Sequence, residues 1–180
     1  MALKATIFKL NLNVSDITRH YYQSHALTIA RHPSENDERM MMRVTAFALN
    51  ACEQLSFTKG LSTNDEPDLW EKSLSDEIEH WIEVGRPSED KIRKACARAK
   101  RVTVYLFGGN VAEQWWLANQ EKLQRFGKLA VYIIDEPSSL ALKELVSRKM
   151  EVQCTIDEGQ AWLSIGDQNI EVCPKQLFPS

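Results

Sequence analysis

Glu77-Ile78-Glu79-His80-Trp81-Ile82-Glu83-Val84 alternates with period two and stops at Gly85 and Pro87. That period belongs to a strand: Glu77, Glu79, Trp81 and Glu83 take one face, and Ile78, His80, Ile82 and Val84 take the other. Ser88 follows and is placed to cap a helix. The helix runs to about Arg101, with Ile92, Ala95, Cys96 and Ala99 toward a core and Lys91, Lys94 and Arg98 as a basic stripe on one flank. Val102-Thr103-Val104-Tyr105-Leu106-Phe107 is then a continuous apolar run of the parallel-strand type. Strand, crossover helix and second apolar strand predict a parallel pair.

Upstream, Asp68-Leu69-Trp70-Glu71-Lys72 follows Pro67 and reads as extended, and residues 55–58 form a further short strand. Between them lies a polar connection, residues 60–67. A helix from Ser34, its expected N-cap, to about Cys52 carries Met40, Met41, Val44, Phe47, Ala48 and Ala51 on a core stripe, with Arg39, Arg43 and Asn50 opposite. Glu38 falls on the flank of the apolar stripe, where a carboxylate needs a partner or a shifted pKa. Residues 3–14 and 19–30 read as two antiparallel strands. Downstream follow a helix over 110–124, a buried strand over 129–134, a helix over 137–149, and short strands near 150–156, 160–165 and 168–172. The expected fold is α/β (α+β) in one domain, residues 1–180. A mixed sheet flanked by helices has its core over about 34–134, with extra N-terminal strands and a C-terminal hairpin elaboration over about 150–173.

The 180 residues carry 22 Lys+Arg against 25 Asp+Glu, a net charge of −3, so no global attraction to nucleic acid is expected and any basic surface must be local. Hydrophobic residues make up 43%, enough for a core without metal or disulfide staples. No apolar run is long enough to span a membrane, and Met1–Phe8 lacks the apolar segment of a secretory signal. The four cysteines (Cys52, Cys96, Cys154 and Cys173) share no CxxC spacing. Reduced thiols in the cytoplasm, with no zinc, are expected. Gly108-Gly109 is too short for a nucleotide-cofactor fingerprint.

One constellation carries chemistry. Pro67-Asp68 precedes a strand, and Glu83 lies near the end of the next; a hairpin brings the two carboxylates side by side. With Glu38 they make up to three hard oxygen ligands, a set suited to Mg²⁺ or Mn²⁺, which keep waters for a phosphate substrate. Arg31-His32 precedes a helix N-terminus, and Arg98 lies on the basic stripe; these are the candidate phosphate contacts. The competing readings are plain. Asp65-Glu66-Pro67-Asp68 is also a solvated acidic turn, and Glu77, Glu79 and Glu83 are also the wet face of a one-sided sheet.

The order α-β-β-β-α-β over residues 34–107, with Pro67-Asp68 and Glu83, resembles the PD-(D/E)xK nuclease superfamily. The resemblance implies a restriction-endonuclease-like core in which Asp68 and Glu83 are the acids. The superfamily motif has lysine two residues after the second acid, where this chain has Gly85. Some members carry that lysine on the following helix, which points to Lys91 or Lys94. The whole chain also resembles the YaeQ family. That likeness rests on Ala2-Leu3-Lys4-Ala5-Thr6-Ile7, Ala30-Arg31-His32-Pro33-Ser34-Glu35, Asp37-Glu38-Arg39-Met40, Phe47-Ala48-Leu49-Asn50, residues 60–70 ending Asp68-Leu69-Trp70, and residues 154–163 beginning Cys154-Thr155-Ile156-Asp157. Two function classes follow: a metal-dependent phosphodiesterase acting on nucleic acid, and a non-enzymatic binding or adaptor protein on a degenerate nuclease fold.

Overall fold

A computed structural model describes residues 4–59 and 65–179. Most of the polar connection, residues 60–64, and the expected start of the first strand at residue 3 lie outside them. The chain divides into two compact units, Met1–Ala51 with Pro137–Cys173, and Cys52–Glu136 with Pro174–Ser180. Each holds one mixed sheet.

In the first unit, β1 (Thr6–Asp16) pairs antiparallel with β2 (Tyr21–Arg31), with Leu10 opposite Leu27. The side chains of β1 alternate, and Phe8, Leu10, Leu12 and Val14 are buried. β1 also runs parallel to β8 (Lys149–Asp157), which continues antiparallel into β9 (Gln160–Ile165) and β10 (Gln168–Val172). The terminal strands therefore form a second sheet of their own, in the order β10-β9-β8-β1-β2. The sequence patterns placed them as additions to one sheet, because local alternation carries no record of a parallel pairing between distant strands.

α1 (Asp37–Leu49) packs on this sheet's inner face, where the His25 ring meets Phe47 edge-on at 5.2 Å. Nine of its thirteen residues are buried. Two expectations are corrected here. The N-cap is Asn36, whose Oδ1 accepts the Arg39 N–H at 2.9 Å, rather than Ser34, whose hydroxyl meets His32 Nδ1 instead. Arg43 is 2% exposed rather than on a polar face. Its guanidinium grips the Glu35 carboxylate with both Nε and Nη2, and Arg39 Nη1 adds a third bond at 2.7 Å. A helix buried on all sides keeps an arginine only by burying its counter-ion with it. α4 (Glu136–Lys143) is shorter than expected and ends well before β8.

In the second unit, β3 (Leu55–Phe57), β4 (Leu69–Lys72) and β5 (Ile78–Val84) form an antiparallel meander. β5 continues parallel into β6 (Ala99–Leu106) and β7 (Leu129–Ile133), and a strand not anticipated, β11 (Lys175–Phe178), closes the order β11-β7-β6-β5-β4-β3. The chain order α1, β3, β4, β5, α2, β6 is the one anticipated over residues 34–107. α2 (Glu89–Arg98) and α3 (Asn110–Leu123) are the crossovers. Ile92, Ala95, Ala112 and Leu123 from these helices share one core with Trp81, Val102, Val104 and Val131, so both helices cover the same sheet face. Consecutive crossovers on one face are what a uniform crossover hand requires.

Ser88 caps α2, accepting the Lys91 N–H at 3.1 Å. Ser88→Ala is expected to cost about 1 kcal/mol, read as a lower urea midpoint with an unchanged slope. An unaltered midpoint would show the cap to be replaced by water.

Candidate functional site

The site is built by the β4–β5 ladder. Leu69 lies opposite Ile82 and Trp70 opposite Trp81, and Asp68, just before β4, is held at the end of β5 close enough for its charge to act on Glu83. Directly opposed residues of an antiparallel pair share a face. Trp70 and Trp81 therefore share the face that α2 covers, and the Trp81 indole holds the Glu83 carboxylate there, beside Asp68. Asp68 is 2% exposed; its backbone N–H donates to the Ile82 carbonyl at 3.1 Å, and its Oδ2 accepts the Val84 N–H at 2.8 Å. Glu83 is also 2% exposed, and its Oε1 accepts from Trp81 Nε1 at 2.8 Å.

Neither competing reading of the acids holds at these two positions. Asp68 is buried, not part of a solvated turn, and the wet face of β5 is confined to exposed Glu77 and half-buried Glu79. Those two engage Lys100, at 3.3 and 2.8 Å. Glu83 lies beyond the register shift opposite Glu71 and Lys72, which also moves Ile78, expected on the other face, into the core with Trp81.

α2 delivers the cation. Lys91 Nζ is 3.2 Å from Glu83 Oε1 while the side chain stays 21% exposed, so the ammonium touches both the buried carboxylate and solvent. A cation in the first turn of a helix is disfavoured by the helix dipole; Glu83 supplies the compensating charge. Gly85 sits where a side chain is disfavoured. Its φ is +101°, where the chain leaves β5, and its N–H donates to the Tyr105 carbonyl at 2.9 Å. A lysine at that position would be strained in the left-handed region.

Electrostatics follow from the geometry. Burial pushes the Glu83 carboxyl up to about 7, and the neighbouring Asp68 charge pushes the same way. The Lys91 charge and the hydrogen bonds from Trp81 and Lys91 oppose the rise without cancelling it. In metal-free protein, a carboxyl with its folded pKa above its unfolded value binds more protons when folded. Its stability contribution is full below about pH 4.5 and is lost as pH rises through about 7. Chelator-treated protein should therefore lose stability between those limits, and Glu83→Gln should flatten the profile. Parallel profiles for the two proteins would contradict the shift.

The other sequence-derived residues separate. Lys94 pairs with Asp90 at 3.2 Å on the exposed side of α2. Arg98 donates to the Asp65 carbonyl and lies 5.1 Å over the Trp81 ring, on the same flank as Lys91. Glu38 belongs to the first unit, where its Oε1 accepts from the fully buried Ser139 hydroxyl at 2.9 Å, the partner its flank position demanded. Arg31, also in the first unit, is ion-paired to Asp37 and lies 5.2 Å over Phe8. His32 meets the Ser34 hydroxyl at 2.7 Å. Among the described residues no group of three or more His, Cys, Asp or Glu is arranged to hold a metal. The set brought together is Asp68, Glu83 and Lys91.

Three features escaped the sequence reading: the Trp81–Glu83 bond, the edge-on Trp70–Trp81 pair with centroids 6.3 Å apart, and the Lys72 ammonium 3.9 Å over Trp70. Alternation puts Trp81 and Glu83 on one face, but nothing in it tells an indole donor bond from ordinary packing. His80 is a core histidine bonded to Thr103 at 2.7 Å; burial first, then the Arg101 charge, hold its pKa near 3. None of the four cysteines is in a disulfide, and burial pushes Cys154 up to about 12. No helix among the described residues is long and apolar enough to cross a membrane.

The chain resembles known proteins along nearly its whole length. It is 43% identical over 172 residues to the "Uncharacterized protein YaeQ" of Salmonella typhi, covering 96% of this chain and 95% of that one. The protein of the same name from Escherichia coli (strain K12) is 42% identical over the same length, with the same coverage. Among solved structures, the YaeQ protein of Xanthomonas axonopodis pv. citri superposes with a TM-score of 0.92 at 38% identity, covering 96% of this chain and 98% of that one. The YaeQ protein of Pseudomonas syringae gives 0.93 at 34% identity, covering 98% and 97%. The family model described as "YaeQ protein" matches residues 1–174, and the chain belongs to the YaeQ family.

Proposed function

We propose that this chain is a divalent-metal-dependent phosphodiesterase of the nuclease type, on a restriction-endonuclease-like core, acting on nucleic acid. One observation carries the reading: the buried Asp68 and Glu83 carboxylates are neighbours at the end of β5, with the Lys91 ammonium 3.2 Å from Glu83. When both acids are ionised, the trio holds one negative charge in excess in a buried setting. A hard divalent cation suits that set, since Mg²⁺ takes one or two carboxylates and completes its shell with water and substrate phosphate. Glu83 Oε2 has no protein donor among the described residues, which leaves it for such a ligand.

A Mg²⁺ or Mn²⁺ ion bound there supplies Lewis-acid polarisation of a phosphoryl oxygen. The protein's own groups do the rest. The Val84 N–H holds Asp68 in place, and the Trp81 indole holds Glu83. Lys91 presents positive charge where negative charge develops as water attacks phosphorus and the ester oxygen leaves.

A second reading has its own support. Glu83 Oε1 is already taken by Trp81 and Lys91, and Asp68 Oδ2 by Val84, as in a buried cluster kept for structure. On this reading the chain is a non-enzymatic binding or adaptor protein. Calorimetric titration with Mn²⁺ separates the two. One site of Mg²⁺-competable affinity, lost in Asp68→Asn with an unchanged fold, supports the phosphodiesterase. The same heat in wild type and Asp68→Asn, or none in wild type, supports the adaptor.

A further inference from the structure

The first unit has an open sheet edge that the proposed catalytic site does not use. Its location follows from the hydrogen-bond directions in β1. The Lys9 N–H donates to the Arg148 carbonyl at 2.9 Å, the Ile7 carbonyl accepts from Arg148 Nε at 2.9 Å, and the Ile17 N–H donates to the Ile156 carbonyl at 2.8 Å. Odd-numbered β1 residues thus turn their backbone groups toward the β8 side. Within the β1–β2 register, Ile7, Lys9, Asn11, Asn13 and Ser15 sit opposite Ala30, Thr28, Ala26, Ser24 and Tyr22. These are the non-hydrogen-bonded pairs, so those β2 residues point their N–H and C=O groups away from β1, off the edge of the sheet.

The outermost of these groups is capped: Arg43 Nη2 donates to the Ala30 carbonyl at 2.9 Å. The backbone groups of Tyr22, Ser24, Ala26 and Thr28 have no partner among the described residues, and all four residues are exposed.

Edges elsewhere in the molecule are short: five residues in β10, three in β3 and four in β11. β2 has eleven, and from Tyr21 to Ala30 it holds no lysine, arginine, acid or proline, the devices that usually protect an edge. Beside the three central open groups the side chains, Ser24, Ala26 and Thr28, are small, and Tyr22 flanks them.

This segment is also self-complementary. A two-fold axis at Ala26 sets Ala26 against Ala26 of a second copy, and Ser24 of each copy against Thr28 of the other, all with outward groups facing. That makes about six ladder bonds. On the other face the same register sets His25 against Leu27 and Tyr21 against Arg31, with no like charges opposed.

We infer that this chain forms an antiparallel β2–β2 homodimer about Ala26, joining two five-stranded sheets into one of ten. The pairing is isologous, so it closes at two copies.

Sedimentation equilibrium tests the inference. Wild-type protein is expected at about twice the chain's 20.6 kDa. Ala26→Lys and Ala26→Glu place like charges on the axis, and each alone should run as a monomer that still unfolds in one cooperative transition. An equimolar mixture of the two should recover the dimer mass. Ala26→Pro removes the central outward donor without touching the β1 ladder and should also be monomeric. Wild type that is monomeric at about 100 µM, or Ala26→Lys that keeps the wild-type mass, would overturn the inference. Monomeric variants whose mixture stays monomeric would overturn the Ala26 axis.

Discussion

Lys91→Ala is expected to lower Mg²⁺-dependent cleavage of nucleic acid by about a hundred- to a thousandfold, the usual effect of losing a preorganised charge at the reacting group, about 2.7–4 kcal/mol. Among the described residues, Lys91, against Glu83 at 3.2 Å, is the cation at the proposed site, because Lys94 is turned to Asp90 and Arg98 engages Trp81 and the Asp65 carbonyl. The loss should appear mainly in kcat. Lys91→Arg keeps the charge and should recover part of the rate, although a guanidinium is broader than the ammonium it replaces. Lys94→Ala should stay near wild type. Asp68→Ala serves as the control on single- and double-stranded DNA and RNA. Cleavage surviving in both Asp68→Ala and Lys91→Ala would belong to another site.

Arg43→Ala is expected to destabilise the fold by about 3–5 kcal/mol, the range for stranding one partner of a buried ion pair. Arg43 and Glu35 side chains are 2% and 1% exposed, and Arg43 also satisfies the Ala30 carbonyl. Arg39 remains to hold Glu35 through one oxygen, at 2.7 Å, which keeps the loss inside that range. Urea unfolding should show the drop in midpoint. The double variant Glu35→Gln/Arg43→Met should lose clearly less, because it leaves no buried charge unpaired. Equal losses in the single and double variants would place the stabilisation in packing rather than in the pair.

Much of the second sheet was legible because its signals are local. The alternation of residues 77–84, the breaks at Gly85 and Pro87, and the apolar run from Val102 each sit within one element. The nearness of Asp68 and Glu83 was legible for a similar reason, since a short hairpin keeps the start of β4 beside the end of β5. What the sequence did not show depends on contacts from elsewhere. Alternation set Glu83 beside Glu77 and Glu79, with Ile78 on the other face; a register shift opposite Glu71 and Lys72 breaks that alternation, so that Ile78 joins the core of Trp81, and Glu83 lies buried at the end that Lys91 reaches. Arg43 reads as a polar-face residue until α1 is found buried on all sides, when its neighbour Glu35 becomes a necessity. The parallel β1–β8 pairing and the four-residue β11 leave no periodic trace at all. Asn36 displaced Ser34 as the N-cap because both are good caps two residues apart, and the serine hydroxyl had a second partner in His32.

The most direct measurement is anomalous scattering from crystals soaked in Mn²⁺. A single peak within coordination distance of both the Asp68 and Glu83 carboxylates, absent from Asp68→Asn crystals soaked in the same way, is the predicted result. Crystals saturated with Mn²⁺ that show no peak between these two residues, with Lys91 still bound to Glu83, would contradict the metal-dependent phosphodiesterase.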